Sequence, residues 1–149
     1  MTRQFKKVLC PIDFSTDSFT ALDYAADFAR QSEGQLILIH VVDNPLTDFY
    51  GPRGANFYAE VEHAIEKSKQ MLADAARTHA AEVPYEVVVK HGNPYTEILD
   101  LATAQHADMI VMSTHGHTGP QRLVIGSVAE KVVRTAPCPV FTVRHTAEA

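Results

Sequence analysis

The stretch MSTHGHTGPQRLVIGSVAEKV, residues 112–132, contains three glycines, two histidines and one arginine before it changes to a helical pattern. Glycine lets a backbone turn its N–H groups toward a ligand, because it has no Cβ to obstruct the approach. Gly126 and Ser127 stand where the helical pattern begins, and the free N–H groups of a helix N-terminus attract anions. The stretch therefore has two interpretations, a cradle for phosphate groups or a turn that joins a strand to a helix.

Around this stretch, apolar runs typical of buried strands alternate with patterns of helical period. The predicted strands are residues 6–13, 35–42, 85–92, 108–113 and 139–144. Strands that alternate with helices in this way indicate an α/β fold with a mostly parallel sheet. The composition does not change along the chain, so we expect a single domain over residues 1–149.

Residues typical of helix ends mark the four predicted helices. The first is expected to begin at Ser15 or Thr16, and Gly34 is expected to close it in the C′ position. The second helical pattern starts at Phe57, after a polar loop over residues 43–56. The remaining two helices begin at Pro94, after the capping residue Asn93, and at Ser127.

The bulk composition excludes several classes of function. The chain has 149 residues, of which 46% are hydrophobic, and this is enough for a sizeable core. Its net charge of −5 argues against binding to nucleic acid or to anionic membranes. No run approaches the roughly 18 apolar residues of a membrane span, and the N-terminus lacks the apolar run of a signal peptide. Because Cys10 and Cys138 form no CxxC and no disulfide framework, a cytoplasmic location is predicted.

The ends of strands one and four are the best candidates for a ligand site. In open parallel sheets, ligands bind beyond the carboxyl ends of the strands, where this chain has PIDFS (11–15) and STHGHTG (113–119). A dinucleotide motif is excluded, because no glycine follows strand one; a P-loop is excluded, because GPQRLVIGS (119–127) lacks its spacing and its lysine. The residues alone leave phosphate binding and a structural turn both open.

Four segments together resemble the universal stress protein family. They are CPIDFS, ILIHVVD, HGNP and the long block STHGHTGPQRLVIGSVAEKVVRTAPCPVFTV, and the resemblance extends from Lys7 to Val143. It implies a Rossmann-like fold, with an open five-stranded parallel sheet of strand order 3-2-1-4-5 and helices on both faces. It also implies a homodimer in which the strands at 139–144 pair, and such pairing would cover an otherwise exposed apolar edge.

One branch of that family binds ATP through the motif G-x2-G-x9-G-S/T. Matched to this sequence, the second and third glycines of the motif fall on Gly116 and Gly126, and Ser127 follows. The first glycine falls on Ser113, which departs from the motif. Serine adds only a hydroxymethyl group beside the ribose, so the resemblance implies that this chain belongs with the ATP-binding branch.

The same matching implies the other contacts of a nucleotide site. Asp13 would contact the ribose hydroxyls, Met112 would flank the base, and Val41 would lie where backbone groups meet the adenine edge. The remaining implied residues are Pro11 and Ile12 beside Asp13, and Gly116, His117, Gly126, Ser127 and Val128 at the phosphates. Asp13 has a second interpretation, as a residue that precedes a helix and is stabilised by its N-terminus.

The charge of ATP predicts a metal ion that the nucleotide itself carries. Arg122 is the only permanent cation between Ser113 and Ser127, so Mg²⁺ or Mn²⁺, bound mainly by phosphates and water, is expected to complete the charge balance. His115 and His117 form an H-x-H pair, but nothing indicates the further convergent ligands of a structural metal site. We therefore expect no metal held by the protein alone.

The sequence favours a binding protein over an enzyme. No GxSxG elbow surrounds a serine, and no general base is positioned to activate water, so any ATP hydrolysis is expected to be slow. The first hypothesis is an adenine-nucleotide-binding regulatory switch of the stress response. An alternative is a homodimeric stress or scaffold protein without nucleotide, in which the loop after strand four is structural. A third, a nucleotide hydrolase or adenylyl-transferring enzyme, would require turnover that is lost on Asp13→Ala.

Overall fold

The computed structural model of the chain describes residues 3–43, 55–115 and 125–144. Its elements in chain order are β1 (Lys7–Pro11), α1 (Thr16–Gln31), β2 (Gln35–Val42), α2 (Ala55–His79), β3 (Tyr85–His91), α3 (Pro94–Ala104), β4 (Met109–Ser113), α4 (Ser127–Thr135) and β5 (Val140–Val143). The predicted α/β alternation is confirmed, and the strands form a five-stranded sheet of order β3-β2-β1-β4-β5.

Every neighbouring pair of strands in the sheet is parallel. β1 lies at the centre and pairs with β2 on one side and with β4 on the other. β3 and β5 form the two edges. Because all strands run in one direction, their carboxyl ends meet along the same edge of the sheet. The strand order reverses between β1 and β4, and such a switch point is where open α/β sheets bind ligands.

Two helices cover each face of the sheet. Alternate residues of β1 show the division: Val8 and Cys10 lie in the cluster packed with α1 and α2, whereas Leu9 lies in the cluster packed with α3 and α4. All three are fully buried, and truncation of a buried leucine such as Leu9 to alanine costs about 2–5 kcal/mol. Among the helices in the described part of the chain, none is long and apolar enough to cross a membrane.

The prediction for the end of α1 was wrong in one detail. The C′ position is held by Glu33, with φ 51°, and Gly34 follows it. The N–H of Glu33 donates to Arg30 O at 3.1 Å and that of Gly34 to Ala29 O at 2.8 Å, which is the Schellman pattern. Gly34 is needed for a different reason, since a Cβ there would lie 2.5 Å from Lys6 O. The glycine therefore permits the close approach of the Lys6 backbone, just before β1.

Candidate functional site

Asp13 lies directly beyond β1 and is held at the start of α1. Its Oδ1 accepts hydrogen bonds from Ser15 N at 3.0 Å and from Ser15 Oγ at 2.5 Å. The same Ser15 hydroxyl accepts the N–H of Ser18 at 3.1 Å and so caps α1. Asp13 is thus a residue at the start of a helix, as one interpretation had it. Both hydrogen bonds use Oδ1, and Oδ2 takes part in neither. The position of Asp13 at the helix start is therefore compatible with a contact to ribose, and that contact stays a prediction.

The residues on either side of Asp13 contact a histidine from β2. His40 Nδ1 lies 2.7 Å from Ile12 O, and the His40 ring packs against the Phe14 ring with a centroid separation of 4.5 Å. Ile12 also donates its N–H to Ile39 O at 2.8 Å. The sequence offered no signal for this arrangement, because it depends on the pairing of two strands.

The apolar residues predicted for the site separate between the two faces of the sheet. The Ile12 side chain is 3% exposed and belongs to the α1–α2 cluster, so this side chain is buried away from a ligand. Met112 lies in the α3–α4 cluster, and Val41 and Val128 pack against that cluster. Pro11, at the end of β1, is half-buried. The structure thus brings Met112, Val41 and Val128 to one apolar layer and leaves Ile12 on the other side.

The end of β4 is tied to β5 and to α4. The Ser113 hydroxyl donates to His115 O at 2.8 Å, so this side chain bonds within its own loop. Thr114 is buried; its N–H donates to Val143 O at 3.0 Å, and its carbonyl accepts the N–H of Gly126 at 2.6 Å. Thr114 was not among the predicted residues, because its partners lie far along the chain. It fixes the start of α4 against the end of β4.

The residue at the start of α4 provides no side-chain cap. This N-cap residue is Gly126, whose φ of −59° is open to any residue. A Cβ at Gly126 would lie 3.1 Å from Thr114 O, a tight contact that a larger residue could make only if the backbone shifted by a few tenths of an ångström. The first intrahelical bond runs from Glu130 N to Gly126 O at 3.0 Å. The N–H groups of residues 127–129 come before Glu130 in the helix and so have no intrahelical acceptor. Such groups are satisfied by caps, water or ligands.

A comparison with known proteins identifies the family. The model of the universal stress protein family matches residues 4–144. The chain belongs to the universal stress protein family. A universal stress protein of Methanocaldococcus jannaschii is 32% identical over 142 residues, a match that covers 94% of this chain and 82% of the relative.

Solved structures of the family share the fold. A second universal stress protein of Methanocaldococcus jannaschii superposes with a TM-score of 0.84 at 26% identity, over 98% of this chain and 100% of the other. A universal stress protein in complex with cAMP matches with a TM-score of 0.68 at 22% identity, over 95% and 98% of the two chains. One from Archaeoglobus fulgidus in complex with dAMP matches with a TM-score of 0.61 at 19% identity, again over 95% and 98%.

Two predicted phosphate contacts of this universal stress protein, Gly116 and His117, lie outside the described residues, as does Arg122. His115 is described; it is buried, and its Nδ1 lies 3.0 Å from Thr114 Oγ1. Within residues 3–43, 55–115 and 125–144, no three His, Cys, Asp or Glu side chains come together to hold a metal ion. Since His117 falls beyond these ranges, the expected absence of a structural metal stays a prediction.

Neither cysteine of this universal stress protein has the properties of a nucleophile. Cys10 is fully buried in the sheet, and burial raises the pKa of its thiol. Burial, and secondarily the carboxylate of Asp108, raises the pKa of Cys138. Raised pKa values keep both thiols protonated at neutral pH, and the thiol is the unreactive form.

Proposed function

We propose that this universal stress protein binds ATP or another adenine nucleotide beyond β1 and β4 and acts as a regulatory switch. The observation that carries the proposal is the start of α4, where Gly126 provides no side-chain cap. The N–H groups of residues 127–129 lie at the same sheet edge as Asp13, and a helix N-terminus attracts phosphate. Further support comes from two proteins of the same fold that were solved in complex with cAMP and with dAMP.

The parts of the nucleotide match the chemistry of the residues at this edge. The apolar layer of Met112 and Val41 suits a purine face, and the Asp13 carboxylate suits the vicinal hydroxyls of a ribose. Pro11 and the backbone of Ile12 lie beside Asp13. The phosphates belong at Gly126, Ser127 and Val128, and we expect Gly116 and His117 to provide further phosphate contacts. Ser113 is the last residue of β4, and its hydroxyl donates a hydrogen bond to His115 O.

A divalent cation carried by the phosphates is part of the proposal. The first turn of α4 contains Glu130 and no basic residue, and Glu130 pairs with Arg134 at 2.7 Å. The triphosphate therefore needs Mg²⁺ or Mn²⁺, which keep much of their hydration and need few protein ligands. We expect EDTA to weaken the binding of ATP more than that of AMP, which carries less charge. We expect hydrolysis to be slow at most, because no side chain is assigned as a general base.

Calorimetric titration of the purified protein with Mg-ATP tests the proposed function. We expect saturable heat at submillimolar nucleotide, and mass spectrometry of the denatured protein should identify an adenine nucleotide that is retained through purification. No saturable heat at millimolar nucleotide would contradict the proposal.

The second candidate function, a homodimeric scaffold without nucleotide, is favoured by the β5 edge. β5 is the last strand of the sheet, and Phe141 on it is 36% exposed, with its ring 5.5 Å from that of Tyr24. Pairing between the β5 strands of two copies, over residues 139–144, would satisfy the open edge. Sedimentation should show a dimer, and a monomer would contradict this pairing. A dimer that binds no nucleotide would favour the scaffold over the switch.

A further inference from the structure

His40 contacts the chain on both sides of Asp13. Its Nδ1 lies 2.7 Å from Ile12 O, immediately before Asp13. A carbonyl oxygen can only accept, so Nδ1 carries the proton of this hydrogen bond. In the neutral ring, Nε2 is then the unprotonated nitrogen. The bond therefore defines the tautomer of His40 and holds the Ile12 carbonyl in one direction.

The same ring supports the residue that follows Asp13. Phe14 has a φ of 66°, a left-handed conformation that is rare and costly for a bulky side chain. Its ring packs on His40 at a centroid separation of 4.5 Å and against the α1–α2 cluster. Ser15 in turn holds Asp13 Oδ1. The residue before Asp13 and the two after it are each held by a contact, and this restricts the orientation of the carboxylate.

We propose that His40 is a positioning residue for nucleotide recognition, which acts through the Ile12 carbonyl to aim Asp13 at the ribose hydroxyls. This inference rests on the proposed function. A carboxylate that is already oriented loses little freedom when the ribose binds, and preorganisation of this kind increases affinity. The effect of His40 is therefore specific to the ribose hydroxyls, and it requires Asp13.

Calorimetry with Mg-ATP and with Mg-2′,3′-dideoxy-ATP tests the inference. His40→Leu should weaken ATP binding by about five- to tenfold, the equivalent of one hydrogen bond, and should change dideoxy-ATP binding little. The loss should disappear when Asp13→Ala is already present, because the two changes remove the same contact. His63→Leu, at an exposed histidine of α2, is the matched control and should leave both affinities unchanged.

A pair of conservative variants separates positioning from stability. The side-chain amide of His40→Asn stands in the place of Nδ1 and should restore most of the preference for ATP over dideoxy-ATP. The amide of His40→Gln stands in the place of Nε2 and should not restore it. This pair decides the question if His40→Leu does not fold, and ¹⁵N spectra of the wild-type imidazole should show the proton on Nδ1.

Three results would overturn the role of His40 while the proposed function stands: equal losses for the two nucleotides, a loss that persists in Asp13→Ala, or equal behaviour of the Asn and Gln variants. If the wild type binds no adenine nucleotide, the proposed function fails, and the role of His40 fails with it. The wild-type titration therefore distinguishes the two failures.

Discussion

Two helices that begin at the same edge of the sheet, α3 and α4, begin in different ways. At α3, Asn93 accepts the N–H of Thr96 at 3.2 Å, and Pro94 has no N–H to satisfy. At α4, the N-cap residue is Gly126, which has no side chain that could cap the helix. A helix start that is satisfied from within its own chain needs no ligand, whereas an uncapped start takes water or an anion. The difference separates a structural turn from a candidate phosphate site.

The position of each helix in the sheet reinforces the contrast. α3 follows the edge strand β3, while α4 follows β4, which pairs with β1 at the switch point. Only the start of α4 therefore lies beside the strand that leads to Asp13. The two helix starts can be altered in matched pairs, and the expected effects differ in size.

The largest effect is expected from Gly126→Val. The new side chain begins 3.1 Å from Thr114 O, so the backbone there must shift by a few tenths of an ångström, and the branched Cβ adds bulk where the phosphates are expected to approach. We expect ATP binding to become undetectable by calorimetry. Asn93→Val places the same side chain at the start of α3 and should retain binding. If folded Gly126→Val binds ATP with wild-type affinity, the start of α4 is not the phosphate site, and the loop before it is structural.

Asp13→Ala should follow in size. Removal of a hydrogen bond to a charged group costs about 1.5–3 kcal/mol, which corresponds to roughly ten- to a hundredfold in affinity for ATP. Titration of the variant with Mg-ATP measures the loss, and Asp27→Ala, at an exposed carboxylate of α1 that pairs with Arg30, is the control. An unchanged affinity would leave Asp13 with its helix-start role alone.

Asn93→Ala should affect stability and leave binding unchanged. Loss of an N-cap costs about 1 kcal/mol, so the unfolding midpoint in urea should fall, while the affinity for ATP stays as in the wild type. Denaturation followed by circular dichroism, together with calorimetry, checks both parts. A fall in ATP affinity would place part of the nucleotide site at α3.

Ser127→Ala should give the smallest effect. The exposed hydroxyl at the first position of α4 is assigned one hydrogen bond to phosphate, worth about 1 kcal/mol, so affinity for ATP should fall roughly fivefold. Thr96→Ala, which removes a hydroxyl from the first turn of α3, should change nothing in the same titration. Equal effects of the two variants would remove the distinction between the helix starts.

The bounds and caps of individual strands and helices were the part of the fold that the sequence could predict. The bounds of β2, the cap at Asn93 and the start of α4 at Ser127 follow from composition and capping preferences, and all were predicted. The strand order was predicted only from the family resemblance, because the local sequence of a strand does not indicate which other strands pair with it. Gly34 was assigned the wrong role because its close neighbour, the Lys6 backbone, is distant in the chain.

The candidate site was predictable where its residues follow strand ends. Asp13 lies just beyond β1, Met112 is the last residue but one of β4, and Gly126 is the N-cap of the helix that comes next in the chain. Thr114 and His40 were missed as structural residues of the site, because their partners Val143 and Ile12 are distant in the chain. The roles assigned to Gly116 and His117 stay predictions.

The central claim, that the N–H groups in the first turn of α4 bind phosphate, is tested most directly by NMR of the ¹⁵N-labelled protein during titration with Mg-ATP. We expect the amide signals of Ser127, Val128 and Ala129 to shift saturably, while those of Tyr95 and Thr96 at the start of α3 stay in place. Saturable binding without shifts at residues 127–129, or equal shifts at both helix starts, would contradict the claim.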